Sequence, residues 1–135
     1  MVRSARCSCG CLQVEVMGDP QAVVACHCTE CQRRTGSVFG VGAYFASERV
    51  KVSGDAVSFS RPAESGQEFT SHFCPKCGST VYWVAAKNPG LIGVAVGAFA
   101  DQSFPSPVRS VWERTMHPWV EIGVAVQHFS KGRPS

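Results

Sequence analysis

Three cysteines fall within one short stretch, Cys26-His27-Cys28-Thr29-Glu30-Cys31. Reduced and ionised, a Cys-x-Cys-x-x-Cys spacing presents three soft anionic sulfurs to one point. Zinc suits such a set because it favours sulfur donors and tetrahedral geometry. A closed structural site needs four ligands, and this stretch supplies three. Three protein ligands with one open position mark a catalytic or substrate-binding zinc.

The remaining cysteines are Cys7, Cys9, Cys11, Cys74 and Cys77. Cys74-Pro75-Lys76-Cys77-Gly78 is a zinc-knuckle sequence, in which Gly78 relieves the steric cost of the sharp turn. Cys7-Ser8-Cys9-Gly10 is a tighter version that also ends in glycine. The two pairs combine into one closed four-cysteine site that joins the start of the chain to its middle. Cys26, Cys28 and Cys31 then form a second, open site. Cys11 follows the glycine of its knuckle and is left over, outside both ligand sets.

Disulfides are the alternative use of eight cysteines. They persist mainly in oxidising compartments. No apolar leader precedes the cysteines between Met1 and Ala5, and the thiols are more crowded than a disulfide framework requires. Metal sites in a soluble, cytoplasmic protein are the expectation.

The elements that must position these sulfurs read mainly as strands. Leu12, Val14 and Val16 alternate with polar or exposed-type residues, as in a half-buried strand. Ala22 to Ala25 is a short apolar run into the open site. The cysteine stretch continues through Gln32-Arg33-Arg34-Thr35 to Gly36, which predicts a short helix with a glycine C-cap. Val38 to Ala46, Val50 to Val52, Val57 to Ser60 and Leu91 to Val96 predict strands. Phe69 to Phe73 and Thr80 to Ala85 flank the knuckle, giving a hairpin with metal at its tip. Arg61 to Gly66 reads as a polar loop. Val108 to Arg114 reads as a last strand. Ile122 to Phe129 fits either a strand or a short helix, and Ser130 to Ser135 a frayed end. Many short strands with frequent turn signals predict an all-β domain of packed sheets.

With 135 residues, 44% of them hydrophobic and 17% charged, the chain is expected to be a single globular domain over 1–135, with its core at about 5–129. The apolar run Leu91 to Ala100 is too short to span a bilayer, so no membrane partner is expected. Seven bound thiolates and two zinc dications would bring the formal charge of +3 to zero, which removes any electrostatic case for nucleic acid. The oligomeric state is left open.

The motifs taken together are Cys-x-Cys-Gly, Cys-His-Cys-x-x-Cys-Gln-Arg-Arg-x-Gly-Ser, Phe-Cys-x-x-Cys-Gly-Ser and a late Pro-Trp. In order and spacing this pattern resembles the glutathione-dependent formaldehyde-activating (GFA) family, to which centromere protein V belongs. The resemblance runs from Cys7 to Trp119. It implies a β-tent fold related to the Mss4-like fold. It also implies a structural zinc on Cys7, Cys9, Cys74 and Cys77 and a second zinc on Cys26, Cys28 and Cys31. The implied activity is that of a carbon–sulfur lyase, joining glutathione and formaldehyde into S-hydroxymethylglutathione or cleaving that adduct. Its partners would be a small-molecule thiol or aldehyde adduct, with glutathione as co-substrate. Cys11, Met116 and the tail Val126-Gln127-His128-Phe129 depart from the usual pattern and leave the zinc ligands in place.

Metal coordination deprotonates a thiol outright, and the thiolate attacks an aldehyde carbon. Three cysteine sulfurs leave the zinc unit negative and weaken it as a Lewis acid, so thiol activation is its expected role. His27, His72 and His117 are candidate proton carriers, with His27 covalently closest to the site. His27 reads equally as a histidine that only supports the ligands, and His72 as structural. Arg33 and Arg34 either pair with the carboxylates of glutathione or sit solvated at a helix end. Phe39, Tyr44, Trp83 and Trp119 are read as core-filling rings. The rival function is a non-enzymatic zinc module for metal handling, redox sensing or protein interaction.

Overall fold

The computed structural model describes residues 1–123 and 126–134. Its strands, in chain order, are β1 (Val2–Arg6), β2 (Gln13–Met17), β3 (Ala22–Cys26), β4 (Gly40–Ala46), β5 (Val50–Ser53), β6 (Val57–Pro62), β7 (Glu68–Phe73), β8 (Thr80–Ala85), β9 (Leu91–Ala95), β10 (Arg109–Val111) and β11 (Gln127–His128). A single α-helix among the described residues, α1 (Thr29–Thr35), lies between β3 and β4. No helix is long and apolar enough to cross a membrane, again among the described residues.

The strands make two sheets. The smaller has the order β1-β2-β5, and the larger β11-β10-β3-β4-β9-β8-β7-β6. Pairing is antiparallel except at one end of the large sheet, where β10 runs parallel to both β3 and β11. The all-β expectation therefore holds.

Alternation decides which residues face inward. Leu12, Val14 and Val16 are fully buried, whereas Gln13, Glu15 and Met17 face water. Across the gap, Val23, Ala43, Phe45 and Val94 complete the core between the sheets, with Phe99 and Phe104 stacked at its edge. Residues of opposite parity on the large sheet point away from this core. They include Val24 and Cys26 on β3 and Gly40, Gly42 and Tyr44 on β4, and these line a cavity.

Several local expectations are corrected. Strand β6 runs on through Arg61 and Pro62, which pair with Phe69 and Glu68. Pro62 is tolerated because β6 is an edge strand at that end of the sheet. Strand β10 stops at Val111 instead of Arg114, because Trp112 adopts the left-handed conformation, with φ 59°. A turn of 3-10 helix, Glu113–Thr115, follows. Strand β11 occupies only Gln127–His128 of the segment expected from Ile122 to Phe129, and Val124 and Ala125 lie outside the described residues. The tail beyond it is docked rather than frayed. The carbonyls of Phe129, Ser130 and Lys131 accept the N–H groups of Glu113, Arg114 and Trp112 at 3.1, 3.1 and 3.0 Å. Ser135 is outside the described residues.

Candidate functional site

Two hairpin tips bring Cys7, Cys9, Cys74 and Cys77 together. Gly10 and Gly78 each take positive φ and donate back to the carbonyls of Cys7 and Cys74, at 3.1 and 2.9 Å. Ser8 and Ser79 join the tips through a 3.1 Å contact between their hydroxyls. All four sulfurs lie within 4.8 Å of one another. The Cys7–Cys9 and Cys9–Cys74 separations are 3.7 and 3.6 Å. A tetrahedron with metal–sulfur bonds of about 2.3 Å has edges of about 3.8 Å, so the donor set fits one zinc. Backbone N–H groups of Leu12 and Lys76 donate to the Cys7 and Cys74 sulfurs at 3.2 and 3.3 Å, which favours the anionic form. Cys11 is exposed and stands outside the cluster.

The second cluster, Cys26, Cys28 and Cys31, also gathers its sulfurs within 4.8 Å. Cys26 ends β3, and Cys28 is the N-cap of α1, its sulfur accepting the Cys31 N–H at 3.3 Å. The helix closes on Gly36, left-handed at φ 71°, as the sequence predicts. Hydrogen bonds from Cys26 and then Cys31 hold the Cys28 thiol far below its ordinary range. Hydrogen bonding with Cys28 and Cys31, followed by burial, pushes Cys26 far up. Three crowded thiols resist ionising together, because each thiolate repels the next. A dication accommodates all three as thiolates, which is the chemistry of a metal-ligand set.

A clasp of polar contacts fixes this cluster from behind. The His27 ring is fully buried, with Nε2 2.8 Å from the Ser110 hydroxyl and Phe39 packed 5.4 Å away. Its Nδ1 has no hydrogen-bond partner among the described residues. The ring does not line the cavity. The His27 carbonyl accepts from Gln32 Nε2 at 3.0 Å and Thr115 Oγ1 at 2.8 Å. His117 Nε2 lies 3.1 Å from Gln32 Oε1. His72 stacks flat on Tyr82 at 4.4 Å, beside the knuckle. Of the three candidate histidines, none contributes to the cavity lining.

The cavity in front of the cluster has a volume of about 630 Å³ and is lined by all three cysteines. Trp83 forms its floor. Gly42 and Gly93 make this possible, since a Cβ at either would stand 2.5 or 2.1 Å from the indole. The Arg34 guanidinium lies 4.4 Å above the Trp83 ring, and the Arg61 guanidinium 4.4 Å above Phe69. Arg61 Nε is 3.7 Å from Glu30 on α1, which bridges the strand to the helix. Arg114 also reaches the cavity lining. Arg33 does not. It points to solvent, 71% exposed, and pairs with Glu30 at 3.1 Å.

The structure gathers the cysteines of each cluster and brings Arg34 to the cavity, and it adds Arg61 and Arg114, which the sequence does not single out. Arg61 was hidden in a segment read as loop. Tyr44 and Trp83 turn out to be cavity walls as well as packing residues, and Trp119 is 72% exposed rather than core-filling. A readable signal did exist. Gly40 and Gly42 alternate with larger residues on β4, and strand glycines often mark a close approach.

Fold and site together define a small all-β protein with two cysteine clusters suited to metal, one of them opening on a cavity. The chain belongs to the family of the glutathione-dependent formaldehyde-activating enzyme, whose model matches residues 2–115. No curated protein sequence matches it. Among solved structures it is similar to a crystal structure of a Rhodobacter sphaeroides protein, with 22% identity and a TM-score of 0.57. That match covers 70% of this chain and 85% of the other, and it speaks to the fold alone.

Proposed function

We propose that the protein makes or cleaves S-hydroxymethylglutathione or a related glutathione–aldehyde adduct, as a zinc-dependent carbon–sulfur lyase. The observation that carries this reading is the placement of Cys26, Cys28 and Cys31 in the wall of a cavity that Arg34, Arg61 and Arg114 also line, together with Tyr44, Phe69 and Trp83. A binding module would have no use for three ligands facing a cavity. Zinc held by these three cysteines would supply the positive charge that keeps a thiol ionised near neutral pH. Cys7, Cys9, Cys74 and Cys77 would hold a second zinc with a structural role.

The chain's own residues would do the rest. Arg34 carries a fixed charge over Trp83 and Arg61 one over Phe69, and glutathione brings two carboxylates to match them. Their stacking on aromatic rings limits their freedom before a ligand arrives, which lowers the entropy lost on binding. Trp83 and Phe69 offer an apolar surface to the peptide backbone of the ligand. His27, buried behind the cluster, positions the strand–helix junction through Ser110.

The test is a Cys28→Ser variant assayed for zinc content, melting temperature and turnover above the spontaneous rate. Serine is itself a good N-cap, so α1 keeps its start. The expected result is one zinc lost from two, no turnover and a retained fold. A protein that loses its fold with that zinc has a structural second site, and one that keeps turnover does its chemistry elsewhere. Zinc exchange without any turnover in the wild type would instead favour a metal-handling role.

A further inference from the structure

Adding a thiolate to an aldehyde places negative charge on the aldehyde oxygen, and the reverse cleavage begins from the corresponding hydroxyl. Some group must meet that oxygen. The histidines that sequence suggests are committed elsewhere. His27 faces Ser110, His117 faces Gln32, and His72 stacks on Tyr82. Tyr44 lines the same cavity as the three cysteines and carries a neutral O–H.

We propose that Tyr44 is a catalytic residue, its hydroxyl donating to the aldehyde-derived oxygen in this cavity. The proposal rests on the thiol–aldehyde reading given above. Three observations support it. Tyr44 shares a face of β4 with Gly42 and Gly40, and Gly40 pairs directly with Cys26. A Cβ on Gly42 would meet Tyr44 Cε2 at 3.4 Å, so the ring leans back along the strand over Gly42, on the side of the cysteines. Trp83 Nε1 donates to the Tyr44 oxygen at 3.2 Å, which occupies a lone pair of the phenol and leaves its proton without an acceptor among the described residues. The indole bond also stabilises the oxygen as negative charge grows on it. Burial raises the Tyr44 pKa, so the group stays protonated at neutral pH.

The step balances without an outside reagent except water. The thiolate sulfur forms a bond to the aldehyde carbon. The C=O π pair moves onto oxygen, which takes the Tyr44 proton. The phenolate recovers a proton from water. Cleavage runs the same steps backwards, and no atom is oxidised or reduced.

The experiment compares wild type with Tyr44→Phe, both loaded with zinc. Turnover of S-hydroxymethylglutathione should fall about 100-fold in kcat, within the range for removal of a positioned proton donor, while KM rises by no more than the roughly 3- to 10-fold that loss of one hydrogen bond to the bound hydroxyl allows. Binding supplies a readout that needs no turnover. Wild type should bind S-hydroxymethylglutathione, in formaldehyde-saturated buffer, about 3- to 10-fold more tightly than S-methylglutathione, as one hydrogen bond allows. Tyr44→Phe should bind the two alike. Unchanged kcat together with an unchanged binding preference overturns the Tyr44 role while leaving the lyase reading standing. A wild type without turnover but with a Tyr44-dependent preference overturns the lyase reading and keeps Tyr44 as the oxygen contact. Absence of both in the wild type overturns both. If Tyr44→Phe does not fold, a ring-fluorinated tyrosine at 44 keeps the shape and makes the phenol more acidic. It must then shift the pH profile of kcat or the binding preference, and no shift in either counts against the proposal.

Discussion

Gly93→Ala is the sharpest single test of how the cavity is built. A Cβ at this position would stand 2.1 Å from Trp83 Nε1, 2.6 Å from Cε2 and 2.7 Å from Cδ1. Carbon contacts settle near 3.5–4.0 Å, roughly, so the indole must shift by about 1 Å or more. It can move only off the sheet, into the cavity and against Arg34. Overpacking of this kind costs about 1–3 kcal/mol. Breaking the Trp83–Tyr44 hydrogen bond adds about 0.5–1.5 kcal/mol. Alanine returns about 0.4–1 kcal/mol by stiffening the unfolded chain. The net is a loss of about 2 kcal/mol, or a fall in melting temperature of roughly 6–8 °C for a domain of this size. Calorimetry with glutathione should show affinity reduced about 10-fold or more, since 1.4 kcal/mol of displaced contact suffices, to order of magnitude. Zinc content should not change, because Gly93 touches neither cluster. Gly97→Ala is the control, having open space around its would-be Cβ and no positive φ. A Gly93→Ala protein that melts within about 1 °C of wild type, or binds glutathione unaltered, would refute the account of Trp83 as a floor held tight by glycine.

Other outcomes follow from the same geometry. Cys77→Ser should give unfolded or aggregated protein by circular dichroism, because the closed site ties Cys9 to Cys74 across 65 positions. A cross-link over such a loop is worth about 4 kcal/mol in a domain of about 5–15 kcal/mol total stability, and normal melting would sink the structural assignment. Arg61→Ala should weaken glutathione binding about 5-fold or more, and Arg33→Ala less than about twofold, since Arg61 faces the cavity and Arg33 faces water; equal effects would contradict that placement. Cys11→Ala should retain full zinc, and the loss of one ion per chain would make Cys11 a ligand. Acidification should release zinc in two steps, because protons compete for ligand sulfurs, with the three-sulfur site emptying at the higher pH. A single step, followed with a colorimetric chelator, would show that the two sites are not distinct in this way.

The two cysteine clusters were legible because their spacing is local and their chemistry narrow. Pairing the knuckles at Cys7/Cys9 and Cys74/Cys77 needed only the four-ligand rule, although the residues are distant in sequence. Strands β2 and β4 and the Gly36 cap were also readable, from alternation and from glycine's freedom at positive φ. Three kinds of information were not local. The extension of β6 through Arg61 depends on pairing with β7, which no single segment displays. The left-handed Trp112 breaks β10 against its own preference, at a cost of about 1–3 kcal/mol, and is held there by the tail through Lys131. The role of His27 was open between a proton carrier and a supporting residue, because proximity in the chain does not fix where a ring points. Neighbours along a strand point to opposite faces, so a residue between two cavity-facing cysteines turns its ring away from them.

The Cys28 cap carries a consequence for regulation. One sulfur both begins α1 and contributes to the open metal cluster. A seven-residue helix has little stability of its own, so anything that pins that sulfur also holds the helix. Arg34, the guanidinium on the cavity's aromatic floor, rides in the last turn of the same helix. A metal on this sulfur and a ligand on the aromatic floor would then be thermodynamically linked, each favouring the other reciprocally. Glutathione affinity measured against increasing zinc occupancy should rise with it, and a flat response would show that the helix stands without the ion.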